Sequence, residues 1–202
     1  PLRLVGSEMC IRDRHSIDEL DSIFNGDNDK YVMKIVSSDI QHKTDIGGVI
    51  LNLNNIDDAQ IAYEKILSNV KKNAPNAKID GVMVSPMIKG GIECILGAKI
   101  DPVFGPIVMF GLGGIYAEVM KDIAFAEAPL SKEKAEKMIL SLKGKDLFHG
   151  ARGQSSIDIK PLIEVIVRLS NFIAANSDQV DQVEMNPMLV NEKKITALDL
   201  SL

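Results

Sequence analysis

The chain has 202 residues, 46% of them hydrophobic and 25% charged, enough for one sizeable core or two small lobes. A net charge of -5 excludes a phosphate-neutralising nucleic-acid surface, which needs clustered Lys and Arg. Cys10 and Cys94 provide neither a disulfide framework nor a zinc quartet, which fits a reducing cytosol, and no apolar run approaches the roughly 18 residues that cross a bilayer.

Residues 1–14 show no signal-peptide design and no helical or strand period. Val5 to Arg14 reads as translated adapter or assembly sequence, so the domain is expected over residues 15–202. Ser16-Ile17-Asp18-Glu19 has the form of a capping box, and Ile17, Leu20, Ile23 and Phe24 follow at helical spacing, which predicts a helix to about Asn25-Gly26. Tyr31 to Val36 and Val49 to Leu53 read as strands separated by a polar, glycine-bearing loop, Ser37 to Gly48. Asn55 then caps a helix with the stripe Ala59, Ala62, Tyr63, Ile66, Leu67 and Val70, ending before Pro75. Residues 31–88 have the strand, loop, strand, helix order of one small lobe.

Ile79 to Ile88, Glu93 to Ile100 and Pro106 to Phe110 read as successive strands, punctuated by Gly90-Gly91 and Asp101-Pro102. Ala117 to Ala128 adds a strand or hairpin, and Ser131 opens a helix with Ala135, Met138, Ile139 and Leu142 inward. After the loop Gly144 to Gln154, a longer helix carries Leu162, Val165, Ile166, Leu169, Phe172 and Ile173. Two strands joined through Asn191-Glu192-Lys193-Lys194 close the chain. The interspersed helices and hairpins predict an α+β, or mixed α/β, fold without internal repeats.

That last hairpin carries oxygen ligands in apolar surroundings. Glu184 and Asn186 share a strand face by the period-two rule, and Asp199 interrupts Ile195-Thr196-Ala197-Leu198-Asp199-Leu200, a run expected to be a buried strand. A buried carboxylate costs several kcal/mol unless a cation or hydrogen bond compensates. Such a patch of hard oxygens suits Mg²⁺; the ordinary alternative is a surface hairpin whose polar groups face water. Lys34 lies mid-strand, where an ammonium either snorkels to meet an anion or guards a sheet edge. His42 sits in His42-Lys43-Thr44-Asp45 before Gly47-Gly48, as a solvated loop histidine or as an imidazole in a mobile loop whose glycine amides approach phosphate. Gly111-Leu112-Gly113-Gly114 lacks the spacing and following helix of a dinucleotide-binding motif.

Five segments occur in one order: Val32 to Ser37, His42 to Val49, Asp101 to Pro106, Met109 to Gly114 and Glu184 to Pro187. In that order they resemble the ATP-grasp domain of NDP-forming acyl-CoA synthetases, the family of ADP-forming acetate–CoA ligase, over roughly residues 16–202. A more distant likeness is to the beta subunit of succinyl-CoA synthetase. The resemblance implies an ATP-grasp fold of two small lobes, truncated at its amino terminus, that binds ATP or GTP with Mg²⁺. It implies a reversible reaction of ATP, a carboxylic acid and CoA giving ADP, phosphate and acyl-CoA. Lys34 would contact nucleotide phosphates, and His42 would accept the phosphoryl group. Glu93 would lie near the nucleotide, although Ser85-Pro86 stands where the family has Gln-Pro. Arg152, in an Arg-Gly pair, would bind phosphate or stay a solvated loop arginine. Asn186 and Asp199 would hold the metal with Glu184 in support. The partner implied is a CoA-binding ligase subunit or domain, with no nucleic acid and no membrane, in the cytoplasm. A noncatalytic or regulatory nucleotide- or partner-binding module is the rival, as is the equivalent domain of an acetyltransferase-fused homologue.

Overall fold

A computed structural model describes residues 13–14, 30–40, 43–88, 90–114, 120–150, 156–192 and 194–201. His42, Arg152 and the helix expected over Ser16 to Gly26 lie outside the described residues. The chain divides into two compact units after residue 89.

In the first unit a two-residue strand, β1 (Asp13–Arg14), falls within the span expected to carry no element. It is followed by β2 (Tyr31–Val36), β3 (Val49–Leu53), α1 (Ile56–Asn73) and β4 (Gly81–Pro86). The strands form an antiparallel sheet in the order β1-β4-β2-β3. As the sequence predicts, α1 starts at Asn55, whose side chain accepts the Asp58 N–H at 2.8 Å. Asp57 and Asp58 in the first turn and Lys71 and Lys72 in the last complement the helix dipole. Ala59, Ala62, Ile66 and Val70 form the buried stripe, packed with Met33, Ile35, Val82 and Val84 of the sheet.

The second unit contains β5 (Ile92–Asp101), β6 (Gly105–Leu112), β7 (Ile123–Glu127), α2 (Lys132–Leu140), a 3₁₀ turn (Lys145–His149), α3 (Lys160–Ala175), β8 (Gln182–Val190), β9 (Ile195–Ala197) and β10 (Leu200–Ser201). Its antiparallel sheet runs β10-β8-β5-β6-β7, with β9 also on β8. Alternate residues of the long strands, among them Cys94, Leu96, Ala98, Val108, Phe110 and Leu112, share a core with Leu162, Val165, Ile166, Leu169 and Ile173 of α3 and with Ala135, Met138 and Ile139 of α2. The helices therefore cover one sheet face. Ser170, fully buried in α3, ties the connection before α2 to that helix: its hydroxyl accepts the Leu130 N–H at 3.0 Å and donates to the Val167 carbonyl at 2.7 Å.

The stretch Ala117 to Ala128 supplies the expected strand, at Ile123–Glu127. One expected strand comes out differently. The run Ile195 to Leu200 is not one strand: it breaks at Leu198–Asp199 between β9 and β10.

Candidate functional site

The break coincides with an irregularity opposite it. On β8, Met188 pairs with Cys94 and Met185 with Leu96, so Asn186 and Pro187 together face the single residue Ile95 across the β5 ladder. Val183, Met185, Met188 and Val190 all belong to the helix-side core, which places both Asn186 and Pro187 away from it. The neighbouring chain makes the same step: Ile195 and Ala197 are core, and Leu200 packs on the core again. Asp199, next to Leu200, is thereby turned to the outer face with Asn186. Asn186 N–H donates to the Asp199 carbonyl at 3.2 Å, and Leu198 N–H donates to the Pro187 carbonyl at 2.9 Å, so the two irregularities are stitched side by side. A regular strand would have hidden one of the two side chains.

Glu184 joins the same outer face, two positions before Asn186. Asn186 Nδ2 donates to Glu184 Oε1 at 2.9 Å, which orients the amide so that its oxygen points away from Glu184. Asp199 is half-buried, and its Oδ1 accepts the Leu200 N–H at 3.1 Å. The donors are thus two carboxylates and an amide oxygen, hard ligands suited to Mg²⁺. Among the described residues no three His, Cys, Asp or Glu side chains gather into a metal-binding group. Three such oxygens leave most of a cation's coordination shell to water and phosphate, the manner in which Mg²⁺ is usually bound.

Glu93 is exposed on the same outer face, since Cys94 beside it is core. It pairs with Leu189 while Glu184 pairs with Gly97, four positions further along β5, a separation of about 13 Å along the strand. Asn186, facing Ile95, falls between the two, about 7 Å along the strand from each, so Glu93 flanks Asn186 on the side away from Glu184. Gly113 N–H donates to the Glu93 carbonyl at 2.6 Å, and a Cβ on Gly114 (φ +58) would stand 3.1 Å from Glu93 Oε2. The glycine pair accordingly lets the β6 exit pass close over this residue. Gly111 lies inside β6, where a Cβ would meet the Asp122 carbonyl at 2.8 Å.

In the first unit, Lys34 is 9% exposed on the sheet face opposite the one where Met33 and Ile35 meet α1. It pairs with Met83 of β4 and Val49 of β3, so it occupies an inner strand, not the sheet edge where a lysine would discourage association. The glycines after His42 do not present free amides: Gly47 N–H donates to the Thr44 carbonyl at 3.0 Å and Gly48 N–H to the Lys43 carbonyl at 2.7 Å. The amide–phosphate contact expected at Gly47-Gly48 is replaced by a closed turn.

Sequence reasoning missed Asp122, which is 4% exposed and accepts the Lys143 N–H at 2.7 Å and the Gly144 N–H at 2.8 Å, closing the turn after α2 onto the start of β7. Its only sequence signal was an acidic residue beside a strand.

Residues 13–202 match the family described as the ATP-grasp domain, starting two residues before His15. The 4-hydroxybutyrate–CoA ligase (ADP-forming) of Nitrosopumilus maritimus is 45% identical over 162 residues, covering 80% of this chain and 23% of that protein. The beta subunit of acetate–CoA ligase (ADP-forming) I of Pyrococcus furiosus is 40% identical over 168 residues, covering 83% of this chain and 72% of the subunit. The acetyl-coenzyme A synthetase 1 of Ca. Korarchaeum cryptofilum, solved with coenzyme A and Ca-AMPCP, superposes with a TM-score of 0.87 at 37% identity over 94% of this chain and 82% of that one. A further structure of that synthetase holds coenzyme A and Mg-AMPPCP, with a phosphohistidine segment pointing towards the nucleotide site. The fold and these matches define an ATP-grasp domain. More narrowly, the chain belongs to the NDP-forming acyl-CoA synthetases, the family of the ADP-forming acetate–CoA ligases, and it spans about a quarter of the length of the Nitrosopumilus ligase.

Proposed function

We propose that this domain binds ATP, or GTP, with Mg²⁺ and starts the reaction of a carboxylic acid with CoA that yields acyl-CoA, ADP and phosphate, reversibly. The observation that carries the reading is the pair of adjoining irregularities that turns Asn186 and Asp199 to one face beside Glu184. Mg²⁺ bound there would neutralise β- and γ-phosphate charge. Asn186 and Asp199 supply its protein oxygens, and Glu184 orients the Asn186 amide. Lys34 meets phosphate charge from its inner strand, Glu93 lies by the nucleotide, Arg152 binds phosphate, and the His42 imidazole receives the γ-phosphoryl group. Catalysis here is positioning and electrostatic complementarity. The acyl and CoA steps belong to a CoA-binding ligase subunit or domain of the same enzyme. The Pyrococcus relative is a subunit and the Korarchaeum relative is solved with coenzyme A, which supports that partner. The cytoplasm is the setting that this reading takes for the enzyme; among the described residues no helix is long and apolar enough to cross a membrane.

Calorimetry on the full-length enzyme tests the metal role. Asp199→Ala and Asn186→Ala should weaken Mg²⁺-nucleotide binding by about tenfold or more and leave binding in EDTA nearly unchanged. Equal losses under both conditions would remove these residues from the metal site.

A further inference from the structure

β7 stands at one end of the sheet of the second unit, and among the described residues only β6 pairs with it. The Leu112 N–H donates to the Asp122 carbonyl and the Ala128 N–H to the Pro106 carbonyl, so the hydrogen-bonded pairs with β6 fall on the even-numbered residues of this stretch. The N–H and C=O groups of Phe125 and Glu127, and the carbonyl of Ile123, therefore point away from β6; the Ile123 N–H is taken up by the Lys121 carbonyl at 3.0 Å. Folded proteins usually blunt such an edge with lysine, proline, a bulge or brevity. The strand Ile123-Ala124-Phe125-Ala126-Glu127 has neither lysine nor proline, keeps unbroken register with β6, and leaves Phe125 57% exposed. At the opposite edge β9 and β10 are three and two residues long.

A groove of 480 Å³ lies between this strand and α2. From the helix it is lined by Lys134, Lys137, Met138 and the cap residue Ser141, which recur at the spacing of one helix face. Glu133 and Glu136 fall on other faces by the same spacing. From the strand, Ala124 and Ala126 turn to the helix side, where they pack on the core but are too small to fill the groove. Glu127, the acid among the lining residues, belongs by alternation to the outer face with Phe125 and Ile123. A strand added at this edge continues the pleat. Its residues level with Ala124 and Ala126 meet the lysines on the α2 side, and its residues level with Phe125 meet that ring and Ile123 on the outer face.

From this we propose that β7 and the adjoining face of α2 form a docking site for an extended peptide strand of a partner protein, one in which acidic residues alternate with apolar ones. Main-chain hydrogen bonds to Phe125 and Glu127 supply the attachment, Lys134 and Lys137 select the acidic side chains, and Phe125 and Ile123 cover the apolar ones. Charge decides against a second copy of this chain. Two β7 strands paired antiparallel about a two-fold axis would bring Lys134 and Lys137 of both chains to the same side of the joined sheet, where like charges repel. A second β7 also sets its own alanines, and no acid, against those lysines.

The test titrates the 202-residue chain with an end-blocked synthetic peptide of alternating glutamate and valine, and with a control in which lysine replaces glutamate. Peptide affinity and residue-resolved amide hydrogen exchange are read together. At saturation the glutamate peptide should slow exchange at Phe125 and Glu127 by about tenfold or more, leave Ala124 and Ala126 unchanged, and bind about tenfold more tightly than the lysine peptide. Phe125→Pro removes an N–H that no bond to β6 uses, so it should weaken the glutamate peptide by about tenfold, while protection kept at Ala124 and Ala126 shows β7 still in place. Lys134→Glu combined with Lys137→Glu, both at exposed positions, should reverse the preference between the two peptides. Equal affinity for both peptides, or no added protection at Phe125 and Glu127, would overturn the proposal. Protection that rises with protein concentration in the absence of peptide would also overturn it, by giving the edge to a second copy.

Discussion

Asp58 shows how much one side chain does here. It receives the Asn54 N–H at 2.9 Å and Asn54 Nδ2 at 2.8 Å, fastening the chain between β3 and α1 in front of the helix cap. The backbone and side-chain hydrogen bonds from Asn54 hold its carboxyl below the usual carboxylate value. The folded form thus binds its proton less readily than the unfolded form, and the stabilisation is complete above the unfolded value and lost as pH falls through the lowered folded value. Urea midpoints of the parent and Asp58→Ala should therefore differ by a constant amount from neutral pH down to about 5 and converge below about 4. A gap that stayed constant at pH 2 would show that the side chain's packing, and not its charge, is what matters. Cys94 is the opposite case: burial, chiefly, pushes its thiol up, which removes it from the chemistry of the site.

At the scale of elements, α3 is held by more than its stripe. Leu169 is fully buried among the sheet residues, and Ser170 beside it satisfies the N–H of Leu130. Leu169→Ala should cost about 2–5 kcal/mol through the cavity it leaves. Ser170→Ala should cost about 1–3 kcal/mol, because it orphans a buried donor while changing almost no volume. Urea unfolding measures both; a neutral Ser170→Ala would mean that the Leu130 amide finds another acceptor. The β8–β10 pair shows the complementary principle. Its inner face is ordinary core, and its outer face is decided by where two strands depart from regular alternation together.

For the whole molecule, the two units carry separate hydrophobic clusters, one built on Met33, Ile35, Ile66 and Val84 and the other on Leu96, Phe110, Ile166 and Met185. Ile66→Ala should accordingly lower hydrogen-exchange protection across the amides of residues 30–88, with the strands β5, β6 and β8 keeping theirs. A uniform loss of protection across both units would show that they unfold as one.

Much was written in the chain itself. The Asn55 cap and apolar spacing specified α1 because capping and helical periodicity are local; the β2 and β3 boundaries and the turn at Asn191–Lys194 were legible for the same reason. The ordered motifs also named the family, and Glu184, Asn186 and Asp199 stood out as oxygens in apolar runs. What only the tertiary structure decided was which way those oxygens face. Period-two counting made Ile195 to Leu200 one strand, and it has no means of placing a compensating step on two strands whose register is set by pairing with β5. Gly47-Gly48 likewise read as a turn whose amides approach phosphate, because sequence shows that a glycine tolerates positive φ without showing that those amides close onto the Thr44 and Lys43 carbonyls. Pairing across long stretches of chain and close packing between elements depend on what arrives from elsewhere in the fold, so they become visible only when it is assembled.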